Sequence, residues 1–339
     1  MSTRVLVTGG AGYVGSAVVD ALLAAGHRVA VFDNFSTGHS SVLLNLDVEL
    51  IRGDLGDRRA IENALRQFNA QAVVHVAGSI QAGESMTDPG KYYRNNVVNS
   101  INLLDAMVAT GVQRFVFSSS AAVYGNPVRV PIDEDDPLCP TNTYGETKLA
   151  IERAASWYGQ AHGFNSIFLR YFNAAGATER LGENHDPETH LIPLALRVAQ
   201  GKAEHVLIFG NDYATPDGTA VRDYVHIADL AQAHILAVTA RDEIIGVNQN
   251  GRPSSVAFNL GSGTGFSVWQ VVAMCRKVTG QPIPAVETSR RPGDPAVLVA
   301  NPRRAIEFLG WQPRFGDLAS IVASAWDWHR KHPDGYGRG

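Results

Sequence analysis

The chain has only two cysteines in 339 residues, Cys139 and Cys275. Neither stands in a C-x-x-C or other metal-ligand spacing, so a disulfide framework and a cysteine-held metal are both excluded, and a reducing, cytoplasmic setting is expected. Long apolar runs are missing as well. No uncharged stretch approaches the ~18 residues of a membrane span. The opening "MSTRVLVTGG" turns from a short apolar run straight into glycines, unlike a secretory leader. Basic runs are absent and the formal net charge is -4, which argues against a nucleic-acid partner. Internal repeats and low-complexity segments are not found. What remains is an ordinary globular composition, 45% hydrophobic and 18% charged, of a length suited to about two domains.

The first half alternates strand and helix. "RVLVT", "HRVAVFD", "VELIRGD", "AQAVVHVAG", "RFVFSSS" and "NSIFLRYF" read as strands. "YVGSAVVDALLAAG", "RAIENALRQF", "KYYRNNVVNSINLLDAMVATG" and the segment around Tyr144 read as helices, two of them stopped by Gly26 and Gly111. Such alternation predicts an α/β fold, a doubly wound parallel sheet of Rossmann type covered on both faces. Beyond about Asn173 loops lengthen, and a smaller C-terminal α/β domain is expected to close over the first. "IIGVNQNGRPSS" reads as an exposed loop or insertion.

Three features carry chemistry. Gly9, Gly12 and Gly15 lie between the first strand and first helix, where a tight turn and a helix N-terminus can receive a diphosphate. Asp33 ends the second strand, 18 residues after Gly15. A carboxylate there accepts ribose hydroxyls and repels a 2′-phosphate, favouring NAD over NADP. Asp54 ends the third strand and reads equally well as a helix N-cap. Finally, Tyr144 and Lys148 are four residues apart at the start of a helix, on one face. A phenol is a poor base near neutrality unless a neighbouring cation lowers its pKa. Ser120, following the fifth strand, is expected at the carboxyl edge of the sheet, where it can bridge a substrate oxygen and the phenolate.

With "TGGAGYVG", "YGETK" and the Ser/Tyr/Lys set, the chain resembles the extended short-chain dehydrogenase/reductases. "HVAGSIQAGES", "LRYFNAAGA", "HLIPLAL", "FGNDYATPDGTAVRDYVHIADLA", "FNLGSG" and "RRPGDPA" narrow the resemblance to the UDP-glucose 4-epimerase (UDP-galactose 4-epimerase) family, with blocks running from residue 3 to about 336 in the family's order. The resemblance implies reversible inversion at carbon 4 of the hexose through a transient 4-keto sugar, with tightly bound NAD. It makes Tyr144 the base, has Lys148 hold the nicotinamide ribose and keep Tyr144 acidic, and has Ser120 bond the reacting oxygen. Dehydrating relatives carry an Asp-Glu pair, and decarboxylating ones a Glu, before "VYG". Here Ala121 and Ala122 stand there, which argues against elimination.

By the same resemblance, residues 1–173 form the NAD-binding domain and 174–339 the UDP-sugar domain, with some segments free to return to the first. Tyr13, Val14, Asp33, Asn34, Asp54, Leu55, Ala77, Asn95 and Phe172 are expected around NAD. Asn173, His190, Leu191, Phe209, Arg222, Arg291 and Asp294 are expected around the UDP-sugar, the two arginines on its diphosphate. Ile80 replaces a lysine that some members place on the NAD diphosphate. His190 stands where asparagine is common and is assigned no proton transfer. No His/Cys/Asp/Glu set shows metal spacing, and no metal is expected. Leu298 falls beside the hexose 2-substituent. Being neither tyrosine nor a small residue, it implies a preference for UDP-glucose and UDP-galactose with some activity on N-acetyl sugars. A 4-epimerase acting mainly on UDP-N-acetylglucosamine or another UDP-sugar is the rival enzyme, and an NAD-sensing regulator the non-enzyme alternative. A homodimer is expected through the Tyr144 helix and the "YYRNNVVNS" helix.

Overall fold

A computed structural model of the chain describes residues 2–44, 46–246 and 255–337. Most of the "IIGVNQNGRPSS" segment, residues 247–254, lies outside the described residues. The Val-rich runs form strands because both faces of the sheet are covered. β1 (Arg4–Thr8) leads into helix α1 (Tyr13–Ala24), then β2 (Arg28–Asp33), β3 (Val48–Arg52), α2 (Arg58–Phe68) and β4 (Ala72–His75). The expected long helix before β5 runs in three parts. It is α-helical over Pro89–Tyr92, widens to π-type hydrogen bonding over Tyr93–Val98, and resumes as α3 (Asn99–Thr110), ended by Gly111 at φ 75°. β5 (Arg114–Ser120), α4 (Thr143–His162) and β6 (Asn165–Tyr171) complete this half.

The second half contains β7 (Asn173–Ala175), α5 (Leu191–Ala199), β8 (Val206–Phe209), β9 (Val221–His226), α6 (Ile227–Thr239), β10 (Ser255–Leu260), β11 (Gly265–Ser267), α7 (Val268–Thr279), β12 (Ala285–Thr288), β13 (Val297–Leu298) and α8 (Leu318–Lys331). Two of these elements return to the first layer. β10 pairs in parallel with β6, making a seven-stranded sheet in the order β10-β6-β5-β4-β1-β2-β3, and α6 packs its Leu230, Ala233 and Ala237 into the α1 side of that sheet. The other face is covered by α2, α3 and α4. A separate core under α5, α7 and α8 supports the small sheets built on β9 and β8. Strand order reverses between β1 and β4, so the carboxyl ends of these strands open a crevice at the switch point. Among the described residues, no helix is long and apolar enough to cross a membrane.

Two buried histidines make this sheet acid-sensitive. His75 lies between Thr8 Oγ1 (2.7 Å) and Ser100 Oγ (2.8 Å). His234 meets Ser118 Oγ at 2.9 Å while its Nδ1 donates to the Leu230 carbonyl at 2.8 Å. Burial, aided by the Lys148 ammonium, pushes His75 from 6.5 down to about 3; burial pushes His234 down to about 4. The unfolded chain therefore takes up protons that the folded one refuses, so stability falls as pH drops below ~6.5. Each imidazole contributes about 2 kcal/mol of loss by pH 5. Denaturant midpoints at pH 7 and pH 5 test this, and an unchanged midpoint would refute the neutral buried state.

Candidate active site

Glycine is required where the first βα turn folds onto itself. Gly9 has φ 73°, and a Cβ there would lie 2.6 Å from the Ala77 amide nitrogen; a Cβ on Gly15 would lie 2.0 Å from the Gly9 carbonyl oxygen. Gly12 differs. Its nearest neighbour to a Cβ would be 3.5 Å away, so the protein itself leaves room there. Gly12 is also the N-cap of α1, without a side-chain cap or an acidic residue in the first turn. Open space, free amides and no opposing carboxylate suit the diphosphate of a dinucleotide. Asp33 closes the far end of this cradle. Its carboxylate accepts from the Ala11 and Phe35 amides at 2.9 and 2.8 Å, which fixes it at the end of β2.

A cleft of about 430 Å³ joins this cradle to the second half of the chain. Gly9, Gly12, Tyr13, Val14, Gly15, Asp33, Asn34, Leu55, Ala77, Asn95 and Phe172 line it, as do Ser120, Tyr144, Lys148, Asn173, His190, Asp294 and Leu298. Asp54 does not. It is not the helix cap either, because Asp57 caps α2; Asp54 accepts from Asn34 Nδ2 at 2.7 Å and orients that neighbour instead. The π-widened turn explains Asn95. Its neighbour Asn96 turns inward to the Ser79 amide (2.8 Å) and Thr147 Oγ1 (3.1 Å), while Asn95 reaches the cleft. Ile80 also lines the cleft.

The Tyr144 end is assembled from three local signals. Asn142 caps α4 by accepting from the Gly145 amide at 2.8 Å, and the Tyr144 amide donates to Ser85 Oγ at 3.0 Å. Ser120 leaves β5 at the sheet edge, its hydroxyl accepting from the Ala122 amide at 3.2 Å. Lys148 is buried; its Nζ donates to the Ser118 carbonyl at 2.8 Å and lies 5.8 Å from the Tyr144 ring centre. Burial pushes the ammonium down to about 8, against the pull of Glu152. Lys148 was expected to keep Tyr144 acidic; its ammonium is bonded to the Ser118 carbonyl. Burial raises the Tyr144 phenol above its ordinary value, and the influence that lowers it is the Ser120 hydroxyl. The physical reason is that the ammonium is committed to a carbonyl, not to the phenol oxygen.

The two arginines stand beside Asp294 of the cleft wall. Neither Arg222 nor Arg291 lines the cleft. Arg222 donates to Asp294 and, at 2.7 Å each, to the carbonyls of Val221 and Pro295. Arg291 stacks 4.0 Å over Phe209, where burial lowers its pKa. Leu191 is the first residue of α5 and, like Phe209, stays outside the lining. Leu298 is buried against Phe172, Ala121 and Leu149 with one face on the cleft.

Sequence reading missed two groups. One is a buried ion pair, Arg170 with Glu152, in which Nε and Nη2 reach the two carboxylate oxygens at 3.0 and 2.6 Å. The other corrects the statement that no His/Asp/Glu set has metal spacing. The loop before α5 gathers Glu183, His185, Glu188 and His190, with one ligand atom of each lying within 4.8 Å of the others. Burial opposes the charged imidazoles, yet the two carboxylates outweigh it and raise His185 to about 9 and His190 to about 10. Two E-x-H pairs in "GENHDPETH" were the available signal; only the bend at Asp186–Pro187 lays one pair on the other.

Residues 5–250 match the model of the NAD dependent epimerase/dehydratase family. The chain belongs to this family. Among its curated relatives is the UDP-glucose 4-epimerase of Corynebacterium glutamicum, 51% identical over 95% of this chain and 94% of that one. Another is the UDP-glucose 4-epimerase of Halalkalibacterium halodurans, 48% identical over 98% and 97%. The UDP-glucose 4-epimerase of Bifidobacterium longum, solved in complex with NAD+ and UDP, superposes with a TM-score of 0.92 at 36% identity, over 98% of this chain and 100% of that one. Ala121 and Ala122, which cannot move protons, occupy the turn beside Ser120.

Proposed function

We propose that the chain is an NAD-dependent epimerase that interconverts UDP-galactose and UDP-glucose at carbon 4. The carrying observation is one cleft with the glycine cradle and Asp33 at one end and Ser120, Tyr144 and Lys148 beside them. The cradle residues hold NAD, which when bound accepts the hydride from carbon 4 and returns it. Tyr144 takes the proton of the 4-hydroxyl and gives it back after the keto-sugar has turned over; Ser120 bonds the same oxygen; Lys148 holds the nicotinamide ribose. Asn173, His190, Leu191, Phe209, Arg222, Arg291, Asp294 and Leu298 form the UDP-sugar side. Arg291 can offer its in-plane N–H donors to the diphosphate while stacked on Phe209, and Arg222 stands beside Asp294 of the cleft wall. Leu298 walls the sugar pocket. A homodimer fits the same reading, because Val98 (52% exposed) and Trp157 (69% exposed) stand on the helices expected to pair.

Purified protein given UDP-galactose without added NAD is expected to form UDP-glucose, followed by proton NMR, and to turn over the UDP-N-acetylhexosamine pair more slowly. Conversion that needs added NAD would remove the tightly held cofactor. Equal rates on both pairs would remove the preference assigned to Leu298, and no conversion of either pair would overturn the function.

A further inference from the structure

Of the four residues clustered before α5, His190 stands on the UDP-sugar side, and none moves a proton or hydride in the chemistry above. Each histidine sits two residues after a glutamate, an i, i+2 spacing that puts both side chains on one side of an extended chain. The bend at Asp186–Pro187 then faces the two pairs. His190 Nδ1 lies 2.7 Å from Glu183 Oε1 and 3.1 Å from Glu188 Oε1; His185 Nδ1 lies 3.1 Å from Glu183 Oε1 and 3.8 Å from Glu188 Oε2. One ligand atom from each of the four side chains thus lies within 4.8 Å of the others.

We propose that Glu183, His185, Glu188 and His190 form a divalent-metal site suited to Zn2+ on the wall of the cleft. A tetrahedral zinc with ligands at 2.0–2.2 Å separates its ligand atoms by about 3.4 Å, within the 4.8 Å spread of the four ligand atoms, so that small side-chain shifts would seat it. Two imidazoles with two carboxylates favour zinc over calcium or magnesium, which take oxygen ligands. The two carboxylates, 5% and 4% exposed, are paired with the two imidazolium rings, and a divalent ion would take over that compensation by displacing the two ring protons. Glu188 is already oriented, because its Oε1 accepts from the Thr189 and His190 amides at 2.7 and 2.8 Å, leaving Oε2 for the ion. The site would clamp the loop to the first turn of α5 and, through the edge-on contact of His185 with the Tyr13 ring (6.1 Å), to the cradle helix.

The test is zinc titration of the chelator-treated full chain by calorimetry and metal analysis. One zinc per chain is expected, weakened at least about 100-fold in His185→Gln and unchanged in Asp186→Asn. No stoichiometric zinc, or equal binding by His185→Gln, would overturn the site and leave an ion-pair cluster only. Should His185→Gln fail to fold, Co2+ added to the unaltered protein decides. Intense visible bands of a tetrahedral ion support the site, and only weak octahedral absorption overturns it.

Discussion

Tyr144→Phe is expected to lower turnover of UDP-galactose by about 10²- to 10⁴-fold, the usual contribution of a positioned proton-transfer group, while NAD content per chain stays unchanged. The two readouts separate because the substitution removes one oxygen. The ring stays beside Lys148, and the α4 cap and the contact of the Tyr144 amide with Ser85 do not involve the hydroxyl. Single-turnover kinetics with a cofactor assay by absorbance check it. Undiminished turnover would displace Tyr144 as the base; loss of NAD in parallel would make it a structural residue.

Arg170→Met is expected to lower folding stability by about 3–5 kcal/mol, the range for removing one partner of a buried pair. Arg170 and Glu152 are 6% and 4% exposed. Arg170 also donates to Tyr124 Oη (3.0 Å) and the Glu134 carbonyl (3.1 Å), and Ser119 donates to Glu152 at 2.5 Å. Tyr124 in turn bonds Asn259 on β10 at 2.7 Å. The pair therefore ties β5, β6, β10 and α4 together, one helical turn from Lys148. With the arginine gone, the Glu152 carboxylate is left buried and uncompensated. Glu152→Leu combined with Arg170→Met is expected to recover more than half of the loss, since no charge is then stranded. Denaturant unfolding of both variants measures this, and a double variant as unstable as the single one would refute the ion-pair account.

Particular residues show how far local signals reach. Gly9, Gly12, Gly15 and Asp33 were legible because the first turn and the strand end fall within one βα unit, where spacing in sequence fixes spacing in space. Tyr144 and Lys148 were legible because α-helix geometry puts residues four apart on one face. Leu298, Asn173 and His190 came only through resemblance, for nothing within a few residues of them announces a cleft. The segment "KYYRNNVVNSINLLDAMVATG" was legible as a long helix, but its π-widened turn was not, because no residue type in it marks where the hydrogen bonds lengthen by one residue.

By itself the sequence determined the alternation of strands and helices, the phosphate turn, and the phenol–ammonium pair, all of which depend on contacts between near neighbours in the chain. Tertiary structure alone decided that β10 returns beside β6, that Arg170 meets Glu152 across 18 residues, that Arg222 and Arg291 rest on Asp294 and Phe209, and that two E-x-H pairs fold into one cluster. It also decided the surroundings of the Tyr144 phenol. A pKa follows desolvation and the final direction of an ammonium, and Lys148 points to the Ser118 carbonyl because packing of α4 on β5 carries it there.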